Sequence, residues 1–207
     1  AYIANDSAHD LLTTDDEYRQ SERWSQSLKH TGNINQYWQD RIDYNKVSDI
    51  DYSDDFRRSG LVNRSSHLKQ NAELEYTDSA WNLLLRAESY QTIDDSIDDE
   101  DKPYHRLPQI KLTKLNNSQA EQTFTYQFST DVSSFSRDNS QLSGVDKMDG
   151  ERFHSELNLT YPIENTYSFF KPSLNLQHTQ YSFSNLDDDA ISAGYEDAIS
   201  RDIYIAS

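Results

Sequence analysis

The feature that most constrains this chain is a rhythm of alternating strands joined by turns that are short, then long, then short again. Four paired runs carry it: 24–31 with 37–47, 68–76 with 81–93, 110–115 with 123–135, and 153–163 with 169–183. Within each pair the connection is compact: Gly32-Asn33-Ile34-Asn35, Thr77-Asp78-Ser79-Ala80, Asn116-Asn117-Ser118-Gln119 and Glu164-Asn165-Thr166. Between pairs the connections are long and acidic. An antiparallel meander with tight turns at one end and long polar loops at the other is the organisation of membrane-spanning β-barrels. The expected boundaries are hairpins at 18–47, 66–93, 104–136 and 152–183, long loops at 48–65, 94–103 and 137–151, and a tail at 184–207.

Each run has one oily and one wet face. Leu68, Ala72, Leu74 and Tyr76 alternate with Lys69, Asn71, Glu73 and Glu75. Phe124, Tyr126, Phe128 and Val132 alternate with Thr125, Gln127, Ser129 and Asp131. A strand places successive side chains on opposite sides of its sheet, so a period of two marks a half-apolar strand. Two situations produce it. A soluble sandwich turns the oily face to a dry core; a membrane barrel turns it to lipid and keeps the wet face for a lumen. Three things favour the barrel. The runs are twice the ordinary globular strand length. The strict short–long alternation has no Greek-key crossover. Aromatics sit near strand ends, at Trp38, Trp81, Tyr126 and Tyr161, as interfacial girdles require. The expected fold is all-β, an antiparallel up-and-down meander of about eight long strands forming an arc of a large transmembrane β-barrel. The alternative is a soluble β-sandwich carbohydrate-binding module working through Tyr and Trp.

Composition narrows the functions. Only 34% of the 207 residues are hydrophobic, and 36 Asp and Glu outweigh 19 Lys and Arg for a net charge of -17. So low an apolar fraction suggests disorder, but the 14 Tyr and 8 Phe fall at strand period. The acidic balance argues against a nucleic-acid partner. Without cysteine there is no disulfide and no thiolate metal site. No run is as long as a membrane helix, which says nothing against barrel strands. No Gly-x-Ser-x-Gly elbow and no glycine cluster exist, and the six histidines lack ligand spacing. The stretch from Asp49 starts like a calcium loop, but Asp54 stands where glycine is needed and Gly60 where the bidentate glutamate belongs. The expectation is therefore no enzyme, no cofactor and no metal centre. The sequons at Asn63 and Asn158 read as chance, the second lying mid-strand. The acidic runs Asp94–Asp101 and Asp187–Asp189 fit either cation bridging to phosphates outside the cell or plain solvated loops.

Trp38-Gln39-Asp40-Arg41-Ile42-Asp43-Tyr44-Asn45-Lys46-Val47-Ser48-Asp49, continuing to Tyr52 and Asp55-Phe56, resembles the D-Y-x-K-V-S-D-x-x-Y-x-x-D-F segment of the LptD family, the organic solvent tolerance proteins. Tyr2-Ile3, Arg23-Trp24 and His30-Thr31-Gly32 fall where that family has a strand, a loop, and a second strand with its turn. The likeness covers the whole chain in pattern and roughly residues 18–56 in identity. One departure is Asp40, which replaces an aromatic on the face of Trp38, Ile42 and Tyr44. A carboxylate is tolerated there near the membrane interface and costly at mid-bilayer.

The resemblance implies a barrel segment in the outer membrane of a Gram-negative cell, taking part in transport and insertion of lipopolysaccharide into the outer leaflet. It implies as partners lipopolysaccharide, the plug lipoprotein LptE, the periplasmic bridge components of the transport system, and outer-membrane lipid. Starting at Ala1 and stopping mid-pattern at Ser207, the chain reads as a piece of a longer protein lacking the jelly-roll, the closing strands and the family's disulfide cysteines. The expected lumen-facing residues are Arg41, Lys69, Glu73, Glu75, Arg86, Lys111, His154 and Glu156. Short turns would then be periplasmic and long loops extracellular.

Overall fold

Strands with a period of two pair with their sequence neighbours when tight turns return the chain, and this chain does so throughout. The computed structural model describes residues 2–3, 23–52, 65–116, 124–138 and 140–207. Its strands are β1 (Tyr2–Ile3), β2 (Arg23–Asn33), β3 (Trp38–Val47), β4 (His67–Thr77), β5 (Trp81–Thr92), β6 (His105–Asn116), β7 (Thr125–Ser136), β8 (Asp149–Thr160), β9 (Ile163–Asn165), β10 (Ser168–Phe170), β11 (Ser173–Ser184) and β12 (Ala198–Ala206). One short helix, α1 (Asp188–Ser192), precedes β12. Sheet order follows chain order from β1 to β8 and then β11 and β12, every pair antiparallel; β9 and β10 form a separate two-stranded ribbon. The sheet is open, and β12 does not return to β1 or β2. It is an up-and-down arc, as the sequence predicts.

Strands β5 to β8 and β11 are each 12 residues long. At about 3.3 Å per residue and a tilt of roughly 40°, that length covers roughly 30 Å of height, the thickness of a bilayer's hydrocarbon. Asx turns close the hairpins. Asn35 Oδ1 accepts from the Tyr37 and Trp38 amides at 2.8 and 3.1 Å, and Asp78 Oδ1 from those of Ala80 and Trp81 at 2.8 and 2.7 Å.

The register assigns the faces. Leu74 lies opposite Leu85, Leu83 opposite Leu112, Ile110 opposite Val132, Phe128 opposite Leu157, and Leu157 opposite Leu176, so the apolar side chains share one face across six strands. Large apolar residues of that face, including Ile110, Val132, Phe153 and Leu174, are exposed. Of the buried polar residues, Asn71, Glu88, Gln109, Asp131 and Ser133 lie on the other face, and Asp49 lies in the loop after β3, paired with Arg23. A soluble sandwich has the reverse pattern, since its oily face must be covered. Among the described residues the buried apolar cluster is small: Val47, Tyr52, Leu68 and Ile93, at the long-loop end.

Two details differ from the sequence reading. A ninth long strand, β12, lies in the stretch read as tail. It pairs with β11 over nine rungs, but Ile199, Ile203 and Ile205 fall on the polar face while Ser200 and Asp202 fall on the apolar one with Tyr204, an exchange that the long-loop half of β11 shares, where Tyr181 and Phe183 lie on the polar face. The first turn comes later than expected, because Gly32 and Asn33 still pair with Asp40 and Gln39. Asp40 does sit on the apolar face, opposite Leu74, where His30 Nε2 meets its carboxylate at 2.7 Å.

Candidate functional site

The polar face carries a chain of hydrogen bonds that crosses six strands. Arg41 Nη1 on β3 donates to Glu73 Oε2 on β4 at 2.9 Å, and Arg86 Nε on β5 donates to Glu73 Oε1 at 2.8 Å. Arg86 and Arg106 both donate to Gln109 Oε1 on β6 at 3.2 Å. Gln109 Nε2 donates to Asp131 Oδ2 on β7 at 2.6 Å, and Asp131 Oδ1 accepts from Ser133 Oγ at 2.8 Å and Arg152 Nη2 of β8 at 2.9 Å. Buried carboxylates require compensation by opposite charge and hydrogen bonds, and the side chains of Glu73 and Asp131 are only 12% and 8% exposed. Each has an arginine on the adjoining strand.

Two further groups flank this belt. Toward the long loops, Lys69 Nζ lies 2.5 Å from Glu88, whose carboxylate also accepts from Tyr90 OH at 3.0 Å. Toward the short turns, Glu156 Oε1 accepts from the amides of Asn158 and Asn175 at 2.9 and 2.6 Å, and Gln177 donates to Asn175 at 2.9 Å. Glu75 accepts from Asn82 at 2.7 Å, and His154 Nδ1 lies 2.8 Å from Thr179 Oγ1. Lys111, exposed, stands opposite Asp131 in the register. All eight residues singled out from the sequence thus share one face, and Arg41, Glu73 and Arg86 are bonded together. Sequence reasoning missed Arg106 and Gln109 because a register shift between them, at Leu107-Pro108, breaks the alternation. Asp131 and Arg152 were legible as polar-face residues by parity, but not as partners.

Chemically, this wall presents amides, carboxylates and guanidinium groups at close intervals, a surface that hydrogen-bonds hydroxyl-rich and phosphate-bearing groups. Among the described residues no group of three or more His, Cys, Asp or Glu is placed to hold a metal. The start of the stretch that resembled a calcium loop is engaged otherwise: Arg23 grips Asp49 with two bonds of 3.0 and 2.6 Å.

Three of the long loops are tied together by side-chain contacts. Arg137 leaves β7 and stacks its guanidinium 4.5 Å from the Tyr104 ring centroid. It donates to the carbonyls of Glu100, Lys102 and Asp146, at 2.5, 3.3 and 2.7 Å. Tyr104 OH reaches the Met148 carbonyl at 2.9 Å, and Asp187 accepts from the amides of Gly144 and Ala190 at 2.9 and 3.0 Å. Three successive loops are thereby tied into one cap. Its acids serve as local acceptors: the Ser96 hydroxyl and amide, with the Ser66 hydroxyl, hold the Asp94 carboxyl below the usual range, and the Ala190 and Gly144 amides do so for Asp187. Of loop 48–65, only 48–52 and Ser65 lie within the described residues, and the Asn63 sequon falls outside them.

At the short-turn end of the apolar face, Trp38 packs 5.1 Å from Tyr76, and Lys114 Nζ lies 4.7 Å from the Trp81 ring. A long apolar band edged by aromatics and a lysine, backed by a polar wall, is barrel architecture. The family description LPS transport system D (LptD) matches residues 21–207. The chain belongs to the LptD family. It is similar to the LPS-assembly protein LptD of Hahella chejuensis, 29% identical over 98% of this chain and 24% of that protein. LptD of Alcanivorax borkumensis is 35% identical over 84% of the chain and 22% of the relative, and LptD of Psychrobacter cryohalolentis 34% identical over 72% and 15%. The chain therefore spans no more than about a quarter of these LptD proteins.

Proposed function

We propose that this chain is part of the wall of an outer-membrane β-barrel that transports lipopolysaccharide and inserts it into the outer leaflet. Its apolar face meets lipid. Its polar face lines a wet lumen, touching the plug lipoprotein LptE or the glycan of the passing lipid; periplasmic bridge components deliver the substrate. The role is transport, without catalysis. The observation that carries the reading is the inverted burial: Asn71, Glu88, Gln109 and Asp131 are enclosed on one face while Ile110, Val132, Phe153 and Leu174 stand exposed on the other. Lipid solvates such an exterior, and water does not. Lumen-facing candidates remain Arg41, Lys69, Glu73, Glu75, Arg86, Lys111, His154 and Glu156. The Asx-closed turns at 34–37 and 77–80 face the periplasm, and the Arg137 cap faces outward.

Photo-crosslinkers placed at Arg41, Lys111 and Glu156 in the full-length protein, in cells, test this. Adducts with the lipoprotein or lipopolysaccharide are expected there, and lipid adducts at Val132 and Leu174. Exchange of the two patterns between the faces would refute the assignment.

A further inference from the structure

The β8–β11 ladder does not stop where the sheet stops. β7 ends its pairing with β8 at Thr125 opposite Thr160, and Thr160 is also the last rung of β8 with β11, facing Ser173. Tyr161 N then donates to the Pro172 carbonyl at 3.1 Å, and β9 continues with Ile163 opposite Phe170 and Asn165 opposite Ser168. The paired numbers keep one sum throughout, so no residue is inserted and the side-chain parity of β8 and β11 carries into β9 and β10. Tyr161, Ile163 and Phe170 therefore continue the column of Leu157, Leu159 and Leu174, while Glu164 and Phe169 continue the polar face.

Among the described residues, neither β9 nor β10 pairs with another strand. Asn165 Oδ1 closes the tip by accepting from the amides of Tyr167 and Ser168, both at 3.0 Å. The projecting side chains are uncovered: Phe170 is 64% exposed, Phe169 77% and Tyr167 96%. An ordered ribbon that holds aromatics this far into solvent needs something to receive them.

Height and continuity together indicate what receives them. Tyr161 lies level with the aromatic girdle formed by Phe124 and Tyr126 of the neighbouring strand. At about 3.3 Å per residue and roughly 40° of tilt, Ile163 and Phe170 lie about 5 Å beyond that level and the tip about 10 Å. The headgroup layer of one leaflet is roughly 5–7 Å deep. Across 161–172 the ribbon carries one acid, Glu164, and one base, Lys171, so it offers a charged partner no complementary field. Its apolar side is instead continuous with the face already assigned to lipid.

We infer that the β9–β10 ribbon is an interfacial anchor, laying Ile163 and Phe170 among the phospholipid headgroups of the periplasmic leaflet, with the Tyr167 tip reaching past them into the periplasm. This rests on the lipid-facing reading of the apolar band. Benzoylphenylalanine placed singly at Ile163, Phe170, Phe169 and Leu157 of the full-length protein, irradiated in cells, tests both. Leu157 is the reference for the band itself, and lack of lipid adducts there overturns the lipid-facing reading. With Leu157 positive, the anchor requires phospholipid adducts at Ile163 and Phe170 in comparable yield and a clear drop at Phe169. Protein adducts at Ile163 and Phe170 overturn the anchor alone and assign the ribbon to a periplasmic protein. Absence of any adduct at both positions overturns it equally, leaving the ribbon in water.

Discussion

Replacing Arg137 with alanine removes the fastener of the loop cap and nothing from the strands below it. The side chain is 6% exposed and donates to three main-chain carbonyls on two loops, besides stacking on Tyr104. Hydrogen bonds from a charged donor contribute about 1.5–3 kcal/mol each when enclosed, and less at a wet edge such as Glu100. Discounting for that edge, opening of the cap becomes easier by roughly 2–4 kcal/mol, equivalent to about 30- to 1,000-fold in the population of the open state. Local opening is what amide exchange reads. Hydrogen exchange of the full-length protein in nanodiscs should show this acceleration in peptides covering 94–104 and 140–149, with peptides from β4 and β5 unchanged. Arg137→Lys keeps the charge but loses the planar fork and the stack, so it should fall between the two. Equal protection in wild type and Arg137→Ala would mean that the loops are held by something other than this guanidinium.

Two further predictions concern single groups. The Ala80 amide, the Tyr76 hydroxyl and the Trp81 amide hold the Asp78 carboxyl below its usual range. A carboxylate with a lowered folded-state pKa contributes stability that is complete above the ordinary value, about 3.9, and is lost as pH falls through the folded one. Protection of the Trp81 amide should thus stay level from neutral pH to about 4 and decline only below it, whereas Asp78→Ala should accelerate its exchange from neutral pH to about 4 and converge with wild type once the carboxyl is protonated. At Asp40, His30→Ala strands a carboxylate on the apolar face and should destabilise the folded protein in lipid by about 1–3 kcal/mol in urea unfolding. Replacing both partners, His30→Leu with Asp40→Leu, should recover most of that loss; a double variant no better than His30→Ala alone would show that the pair is not what stabilises this corner.

Where apolar side chains recur at alternate positions with a single polar break, as along 68–76 (Gln70) and 153–159 (Ser155), the strand, its faces and its neighbours were legible in the sequence. Legibility failed wherever the physics is non-local. β12 was missed because its isoleucines fall on the face opposite to Leu174 and Leu176, so its parity is visible only once the pairing is known. Arg106 and Gln109 hid behind the Leu107-Pro108 irregularity, since proline offers no ladder amide and a shifted register flips the faces. Asp40 looked misplaced because its partner, His30, comes from the previous strand. The loop cap left no trace, because Arg137 bonds mainly to carbonyl oxygens, which every residue carries.

The belt from Arg41 to Arg152 has a consequence for how such a wall is made. Every link joins side chains of the same strand or of strands adjacent in the chain, and every ladder of the arc does the same, save that the β9–β10 ribbon lies between β8 and β11. No link waits for a distant part of the polypeptide, so the loop-closure entropy of each step stays that of one hairpin, however large the finished cylinder becomes. A wall of this kind grows by accretion. Each arriving hairpin finds an unpaired rim already displaying the backbone groups and the half-satisfied charge that it completes, and leaves a new rim of the same kind behind it.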